Sequence, residues 1–411
     1  MRPLDDFRQV ERAAVFKQGT RAGVLERRRD SVVFTYDADY RESGGPPVAT
    51  TLPLTEDPVI THAPGALPPF FSGLLPEGRR LAALQRAVKT SADDELTLLL
   101  AVGGDTVGDV QVVPEGDDVP GTEARVTVSS WSEVRFADLL AASAGGWSGI
   151  DRVAIPGVQD KVSARMISVP VARAETRFML KLDPPEFPHL VANEAFFLEA
   201  ARRSGLDAAD AEIVADAVGA PGLLVRRFDR IPADGGVGTV AQEDACQVMA
   251  RYPADKYRVT TEEVIGALAR VCRARPVAAH ALLKQVAFAY LTCNGDAHAK
   301  NFSVRRVGPE WRPTPMYDVP SSYLYGDHTM ALTLNGKRRE DIGRGDFVAL
   351  GEAVGVRAPA VERALDELCD GVGLWIDELG GLPFDPGLLA KLRRAIVCRR
   401  ERLGRHRGAS R

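Results

Sequence analysis

The chain has 411 residues, of which 45% are hydrophobic and 26% are charged, and its formal net charge is -4. Because a single hydrophobic core stops growing near roughly 250–300 residues, we expect more than one packed unit. This composition excludes a disordered chain, and the net charge argues against a protein that binds nucleic acid with its whole surface.

The sequence predicts a cytoplasmic protein that has no contact with a membrane. It contains no run of 18 apolar residues, and the charged opening Met1–Phe7 does not fit a signal peptide. The five cysteines are widely spaced and form no CxxC pair. We therefore expect reduced thiols rather than disulfides or a zinc site.

The first part of the chain has the pattern of small sheets joined by loops. The valine-rich runs Ser31–Tyr36 and Gly108–Val113 predict strands, and Ala82–Val88 predicts a helix. The polar stretch Glu115–Glu123 predicts a surface loop or a subdomain boundary.

The pattern then changes from strands to helices. The apolar runs Phe178–Leu182 and Leu223–Phe228 have the length of strands, and between them a helix is expected after Pro188 and through Arg203. Gly205 lies just past the end of this helix, where a residue in the left-handed backbone conformation is usually needed. Beyond about residue 233 the predicted helices are Thr261–Arg273, Ala279–Thr292, Phe347–Gly355, Ala358–Ile376 and Pro386–Leu403.

The segment Asn294–Phe302 carries the clearest chemical signal. It reads Asn-Gly-Asp-Ala-His-Ala-Lys-Asn-Phe, and an Asp followed five positions later by an Asn is the catalytic-loop pattern of protein kinases. Asp296 would accept the proton of the substrate hydroxyl, and Asn301 would hold Mg²⁺. Asp318 follows at a distance that allows a short β-hairpin to return it to the same cleft as a second metal ligand. The pattern predicts an ATP-dependent phosphotransferase.

A lysine and an acid upstream fit the same chemistry. Lys181 lies within a predicted strand, and Glu194 lies near the start of the next helix, as in kinases whose strand lysine touches the nucleotide phosphates and is oriented by a helix glutamate. No Walker A or Gly-x-Gly-x-x-Gly sequence occurs. The turn containing Gly157, Gln159 and Lys161 is a candidate phosphate-binding loop, although such a turn is more often a plain hairpin.

Eight short motifs in order resemble the HipA family of serine/threonine kinase toxins, and together they span nearly the whole chain. They are Phe70–Gly78, Asp105–Gly108, Pro156–Lys161, Phe187–Glu194, Val225–Arg230, Gln242–Asp244, Asn294–Phe302 and Tyr317–Asp318.

The resemblance implies an α+β, two-lobed protein-kinase-like fold. Residues 1–123 would form an extra N-terminal subdomain, residues 124–232 a β-rich kinase-like N-lobe, and residues 233–411 an all-helical C-lobe. It also implies that Lys181 contacts ATP, and that the backbone around Arg226 and Phe228 forms the adenine-binding hinge. Asp296 would be the catalytic acid, with Asn301 and Asp318 holding Mg²⁺.

The resemblance further implies a partner and a substrate. Members are restrained by a small helix-turn-helix antitoxin of the HipB type, so contact with DNA is expected only through that complex. Their best-known substrate is glutamyl-tRNA synthetase, an aminoacyl-tRNA synthetase whose phosphorylation halts growth. Which protein this chain phosphorylates does not follow from its sequence.

Two positions depart from the family pattern. Arg226 replaces the usual glutamate of the hinge, which leaves backbone contacts to adenine possible but removes a side-chain contact. Ala154 occupies the position of a serine that some members phosphorylate to inactivate themselves. Self-inactivation through that hydroxyl is therefore not expected, and nothing favours Ser148 or Ser163 as a substitute.

Three further features have competing interpretations. His298 is expected to hydrogen-bond Asp296 or a loop carbonyl rather than a metal, and Lys300 would either neutralise the γ-phosphate or be solvated. The arginine-rich C-terminal run is expected to form an exposed helix face and a tail, with phosphate contact beside an operator-bound antitoxin as the sharper alternative.

Two other function classes remain open from the sequence. One is a small-molecule kinase of the aminoglycoside-phosphotransferase type, which uses a similar loop. The other is a nucleotide-binding corepressor without turnover, which the intact set Lys181, Asp296, Asn301 and Asp318 argues against.

Overall fold

The computed structural model describes residues 4–29, 31–61, 65–119, 128, 130–138, 166–173, 175–233, 236–339 and 341–404. The predicted phosphate-binding turn, with Gly157, Gln159 and Lys161, lies outside these described residues. So do Ala154 and the two serines near it.

The N-terminal subdomain is built on a five-stranded antiparallel sheet in the order β4-β3-β2-β1-β5. Alternate residues of its strands, such as Val32 and Phe34, enter one buried core with Phe71 and Leu98 of the helices. The strands are β1 (Arg12–Lys17), β2 (Thr20–Arg28), β3 (Ser31–Tyr36), β4 (Val59–Thr61) and β5 (Val110–Pro114), and the helices are α1 (Ala38–Glu42), α2 (Pro69–Ser72), α3 (Gly78–Val88) and α4 (Glu95–Val102).

The second unit is a four-stranded antiparallel sheet in the order β6-β7-β9-β8, with one long helix. Leu180 and Leu182 enter one apolar cluster with Phe136 and Leu224, and alternation therefore turns Lys181 to the other face of β7. The elements are β6 (Ile167–Arg173), β7 (Thr176–Leu182), α5 (Leu190–Arg203), β8 (Ala211–Ala215) and β9 (Pro221–Arg226).

The C-terminal lobe is organised around α8, which is buried nearly all round because it is apolar on most of its circumference. Its helices are α6 (Ala245–Val248), α7 (Thr261–Val271), α8 (Arg275–Leu291), α9 (Arg344–Ala353), α10 (Ala358–Val372) and α11 (Pro386–Leu403). Among the described residues, no helix has both the length and the apolar character needed to cross a membrane.

The expectation of an all-helical C-terminal lobe is wrong, because this lobe also carries short strands. They form the hairpin β10 (Arg230–Ala233) and β11 (Gly236–Thr239), and a sheet of β12 (Gln242–Asp244), β13 (Ser303–Val307) and β14 (Glu310–Pro313). The strand β12 has three residues and pairs with a strand some sixty positions away, so it leaves no periodic pattern. The hairpin expected between Asn301 and Asp318 is confirmed as β13 and β14.

One arginine of the C-terminal run departs from the expected exposed face. Arg399 is 5% exposed. Its guanidinium donates to the carbonyls of Tyr290, at 2.6 Å, and His328, at 3.0 Å. A buried guanidinium needs such acceptors, so Arg399 joins α11 to the end of α8 instead of facing solvent.

An ion network whose centre, Asp229, is buried joins the N-terminal subdomain to the end of β9. Arg227 and Arg230 both bind Asp229, at 2.8 Å and 2.7 Å, and both also bind Asp105 of the subdomain, at 2.9 Å and 2.8 Å. The Gly108 amide donates to Asp229 at 2.9 Å. The motifs Asp105–Gly108 and Val225–Arg230 therefore meet in this contact.

Acid should weaken this contact at Asp229. Burial alone would raise the pKa of Asp229, but Arg227 and Arg230 lower it to about 2. In the unfolded protein the pKa of Asp229 is about 4, so above that pH its ionised carboxylate stabilises the folded state by about 2 kcal/mol. This stabilisation is lost as the pH falls towards 2.

We therefore expect Asp229→Asn to reduce the free energy of unfolding at neutral pH and to make it less dependent on pH between about 4 and 2. Urea unfolding at a series of pH values measures both effects. Asp210→Asn is a matched control, because the side chain of Asp210 is 73% exposed. An unchanged pH dependence for Asp229→Asn would contradict this account.

Candidate active site

Lys181 and Glu194 form a buried ion pair between β7 and α5. The Lys181 Nζ donates to Glu194 Oε1 at 2.7 Å, and the two side chains are 10% and 1% exposed. The same ammonium contacts the carboxylate of Asp318. Burial alone would lower the pKa of Lys181, but Asp318 and Glu194 raise it above its usual value. The lysine is therefore charged and held at the cleft by two carboxylates.

The Asp318 backbone is held in an uncommon conformation by two asparagines. Its φ is 52°, in the left-handed region that Asp tolerates better than most residues. The Asp318 carbonyl accepts hydrogen bonds from Asn294 Nδ2 at 3.3 Å and from Asn301 Nδ2 at 3.4 Å. Asn301 Nδ2 also donates to the Asp296 carbonyl at 3.4 Å. The side-chain amide of Asn301 thus joins the predicted catalytic loop, Asn294–Phe302, to the loop that bears Asp318.

Asp296 is 1% exposed and is fixed from two sides. Its amide donates to Asn294 Oδ1 at 3.0 Å, and its carboxylate oxygen Oδ1 accepts a hydrogen bond of 2.6 Å from the Tyr257 hydroxyl. These bonds set both the backbone and the carboxylate of the candidate catalytic residue.

His298 is a neutral residue of this loop. Burial lowers its pKa to about 3, and Lys256 adds to the effect. Its backbone amide donates to the Asp296 carbonyl at 2.8 Å, while its buried ring atom Nδ1 has no hydrogen-bond partner among the described residues. The ring lies edge-on to Tyr257, with 5.1 Å between the centroids.

Lys300 points towards the N-terminal subdomain. Its ammonium donates to the Gly73 carbonyl at 3.0 Å and lies 3.3 Å from Asp244 and 3.7 Å from Glu77. The side chain is 12% exposed. Its sequence-based role at the γ-phosphate stays a prediction, and here its charge is already matched by carboxylates.

At the predicted adenine hinge, two backbone amides are already bonded. The Arg226 amide donates to Asp210 and that of Arg227 to Arg177, at 2.8 and 2.9 Å. The Phe228 carbonyl accepts from Arg305 at 3.0 Å, and the Phe228 ring lies 5.7 Å from that of Tyr317. Phe228 thus packs beside the residue that precedes Asp318, while the Arg226 side chain is about half exposed.

Comparison with known proteins assigns this arrangement to a family. The family model described as HipA-like C-terminal domain matches residues 153–375, and the model described as HipA N-terminal domain matches residues 13–113. The chain belongs to the HipA family.

Individual relatives agree with this assignment. The chain is 30% identical to Y4mE of Sinorhizobium fredii, which is named a candidate kinase, over 79% of this chain and 80% of that protein. It is 29% identical to the serine/threonine-protein kinase toxin HipA of Shewanella oneidensis, over 74% of this chain and 73% of that protein.

A solved structure shares the fold. A chain from the Shewanella oneidensis MR-1 complex of HipA, HipB and operator DNA matches with a TM-score of 0.73 and 24% identity, covering 95% of this chain and 97% of that chain. The resemblance to the HipA family, the kinase class of the enzyme and the two-lobed α+β fold are thus confirmed.

The residues of this HipA-family site fit a magnesium ion. The side chain of Asn301 donates two hydrogen bonds through Nδ2, so its Oδ1 is the atom that would bind a cation. Asp318 supplies a carboxylate that is 33% exposed. Mg²⁺ needs only one or two such protein ligands beside phosphate and water oxygens. The described residues contain no cluster of three His, Cys, Asp or Glu side chains that would favour another metal.

Sequence reasoning missed two residues that touch this site. Tyr257 lies 39 positions before Asp296 and belongs to none of the short motifs. Glu77 lies in a motif of the N-terminal subdomain, but no role followed from it. Only the folded chain brings either residue to the catalytic loop, so their spacing carried no signal.

Gly295 has to be a glycine because three groups crowd its α-carbon. A β-carbon would lie 2.6 Å from the Thr329 carbonyl oxygen, 2.7 Å from Ser322 Oγ and 2.9 Å from Asp327 Oδ2. Its amide also donates to Ser322 Oγ at 2.7 Å. The residue before Asp296 is therefore packed directly against the segment that follows Asp318.

We expect Gly295→Ala to lower the free energy of unfolding by about 1–3 kcal/mol, because backbone must move to admit the methyl group. The displacement should also lower kcat, since Asp296 is the next residue. Gly345→Ala is the control, because a β-carbon there meets no atom within 4 Å. Chemical unfolding and initial rates measure the two effects, and a Gly295→Ala variant equal to the wild type would refute the packing argument.

Proposed function

We propose that this chain is an ATP- and Mg²⁺-dependent serine/threonine protein kinase that acts as the toxin of a toxin–antitoxin pair. The observation that carries the proposal is the junction of Asn301 with the carbonyls of Asp296 and Asp318, beside the Lys181–Glu194 ion pair. A phosphotransferase needs these groups in one cleft, because its catalysis consists mainly of positioning and charge stabilisation.

In the proposed reaction, the substrate hydroxyl attacks the terminal phosphate of ATP and passes its proton to Asp296. Lys181 keeps its bond to Glu194 and exchanges Asp318 for phosphate oxygens. A magnesium ion held by Asn301 and Asp318 would neutralise charge on the phosphates. The products are ADP and a phosphorylated side chain.

The relatives support a protein substrate and a protein partner. One is named a serine/threonine-protein kinase toxin, and the solved structure with the same fold holds HipA together with HipB and operator DNA. We propose a helix-turn-helix antitoxin of the HipB type as the partner of this chain, with DNA contacted through that complex. By family resemblance, the proposed substrate is an aminoacyl-tRNA synthetase, such as glutamyl-tRNA synthetase.

We expect Asp296→Ala to reduce phosphotransfer by about 10²–10⁴-fold, because the variant lacks the proton acceptor. It should still bind ATP, since Lys181, Glu194 and Asp318 are unchanged. Rates with labelled ATP and nucleotide affinity from calorimetry measure the two properties. Asp377→Ala serves as the matched control, because the side chain of Asp377 is 82% exposed. Turnover by Asp296→Ala at the wild-type rate would rule out this assignment.

The substrate class is tested with the purified wild type, labelled ATP, Mg²⁺ and a cell lysate. Label on serine or threonine of a protein band, absent with Asp296→Ala and identified by mass spectrometry, supports the proposal. Label found only on a small molecule would instead support a small-molecule kinase. Nucleotide binding without any transfer would support a corepressor.

A further inference from the structure

A second buried charge cluster lies next to the proposed catalytic site, and the reaction outlined above does not use it. It contains Glu77 from the N-terminal subdomain, Lys256 and Asp244 from the C-terminal lobe, and Lys300 from the catalytic loop. Lys256, Lys300 and Asp244 are 11–12% exposed, and Glu77 is 28% exposed.

Glu77 contacts both lysines, one with each carboxylate oxygen. Lys256 Nζ donates to Oε2 at 2.6 Å, and Lys300 Nζ lies 3.7 Å from Oε1. Burial alone would raise the pKa of Glu77, but Lys300 and Lys256 lower it to about 2, so the carboxylate is ionised at neutral pH. Two carboxylates and two ammonium groups balance in charge, which a buried cluster requires.

Lys256 and Lys300 each directly precede a residue of the proposed active site. Tyr257 follows Lys256 and donates to the Asp296 carboxylate at 2.6 Å. Asn301 follows Lys300 and joins the two loops of the metal site. The two lysine segments are also bonded to each other, because the Ala299 amide donates to the Lys256 carbonyl at 3.1 Å.

The segment that carries Glu77 is itself anchored on the C-terminal lobe. Gln247 donates to the Phe70 carbonyl at 3.1 Å, and Lys300 donates to the Gly73 carbonyl at 3.0 Å. A β-carbon on Gly73 would lie 2.6 Å from the Gln247 side chain. The subdomain therefore presents the Glu77 carboxylate to the two lysines at a fixed position.

We propose that Glu77 is a positioning residue for phosphotransfer, through which the N-terminal subdomain completes the active site. Its carboxylate holds Lys256 and Lys300, and thereby fixes Tyr257 against Asp296 and the Asn301 amide between the two loops. The inference rests on the proposed function. Without the carboxylate, Lys300 would keep its contact with Asp244, whereas Lys256 would lose its one salt bridge among the described residues, and the unmatched charge would displace both segments.

The test compares wild type with Glu77→Gln, which keeps the shape of the side chain but removes its charge. We expect kcat to fall about 10- to 100-fold, while the dissociation constant for ATP stays within about twofold, because small displacements of reacting groups affect the chemical step. Asp109→Asn is the matched control. It breaks the buried Lys17–Asp109 pair of the same subdomain, at 2.6 Å, without touching the catalytic loop. It should lower Tm and leave kcat unchanged.

A double-mutant cycle with Lys256→Met shows whether Glu77 acts through Lys256. The double variant should be no slower than the slower single variant. If the two losses instead multiply, or if Glu77→Gln has wild-type kcat, the proposal is overturned. Should Glu77→Gln fail to fold, Glu77→Asp retains the charge on a shorter side chain and must lower kcat at unchanged ATP affinity, and wild-type kcat in that variant would likewise overturn the proposal.

A readout without turnover separates this inference from the proposed function. The ¹³C chemical shift of the Tyr257 ring carbon that bears the hydroxyl reports on its hydrogen bond to Asp296. It should change in Glu77→Gln and not in Asp109→Asn, and no change in Glu77→Gln would count against the positioning role. Absence of phosphotransfer by the wild type would count against the proposed function alone.

Discussion

The carbonyl of Asp318 is the acceptor on which the geometry of the site depends. It receives hydrogen bonds from Asn294 and Asn301, and it points towards them because Asp318 has a positive φ. The Tyr317 hydroxyl, which donates to the Lys300 carbonyl at 2.7 Å, holds the same two loops together beside these bonds. The carboxylate of Asp318 then faces Lys181, so the same residue links the two lobes.

Among the described residues, polar contacts at several places join the N-terminal subdomain to the kinase lobes. Asp105 meets the arginines after β9, Thr50 donates through its amide and hydroxyl to Glu243 at 2.8 Å and 2.6 Å, and Glu77 meets the catalytic loop. Buried charges are costly unless each has a partner, so these contacts fix one relative placement of the units more sharply than apolar packing would. Four of the short motifs shared with the HipA family, namely Phe70–Gly78, Asp105–Gly108, Val225–Arg230 and Gln242–Asp244, are thereby explained as contact surfaces.

Much of the fold follows from local patterns. A valine-rich run and a short apolar run identified β3 and β7, and helix-like patterns identified α7, α8 and α11 within a few residues. The strand β12 was missed because it has three residues and is defined by its pairing with β13. The burial of Arg399 was missed as well, because the sequence of a basic helix does not indicate which of its arginines will contact distant carbonyls, here those of Tyr290 and His328.

The sequence by itself determined that Asp296, Asn301 and Asp318 meet in the candidate site, because they lie close together in the chain and their spacing is set by one loop and one hairpin. Tertiary structure alone decided which groups surround them. Tyr257 and Glu77 reach the catalytic loop across 39 and more than 200 positions. Contacts at such separations depend on how whole elements pack, and no periodicity or local spacing records that.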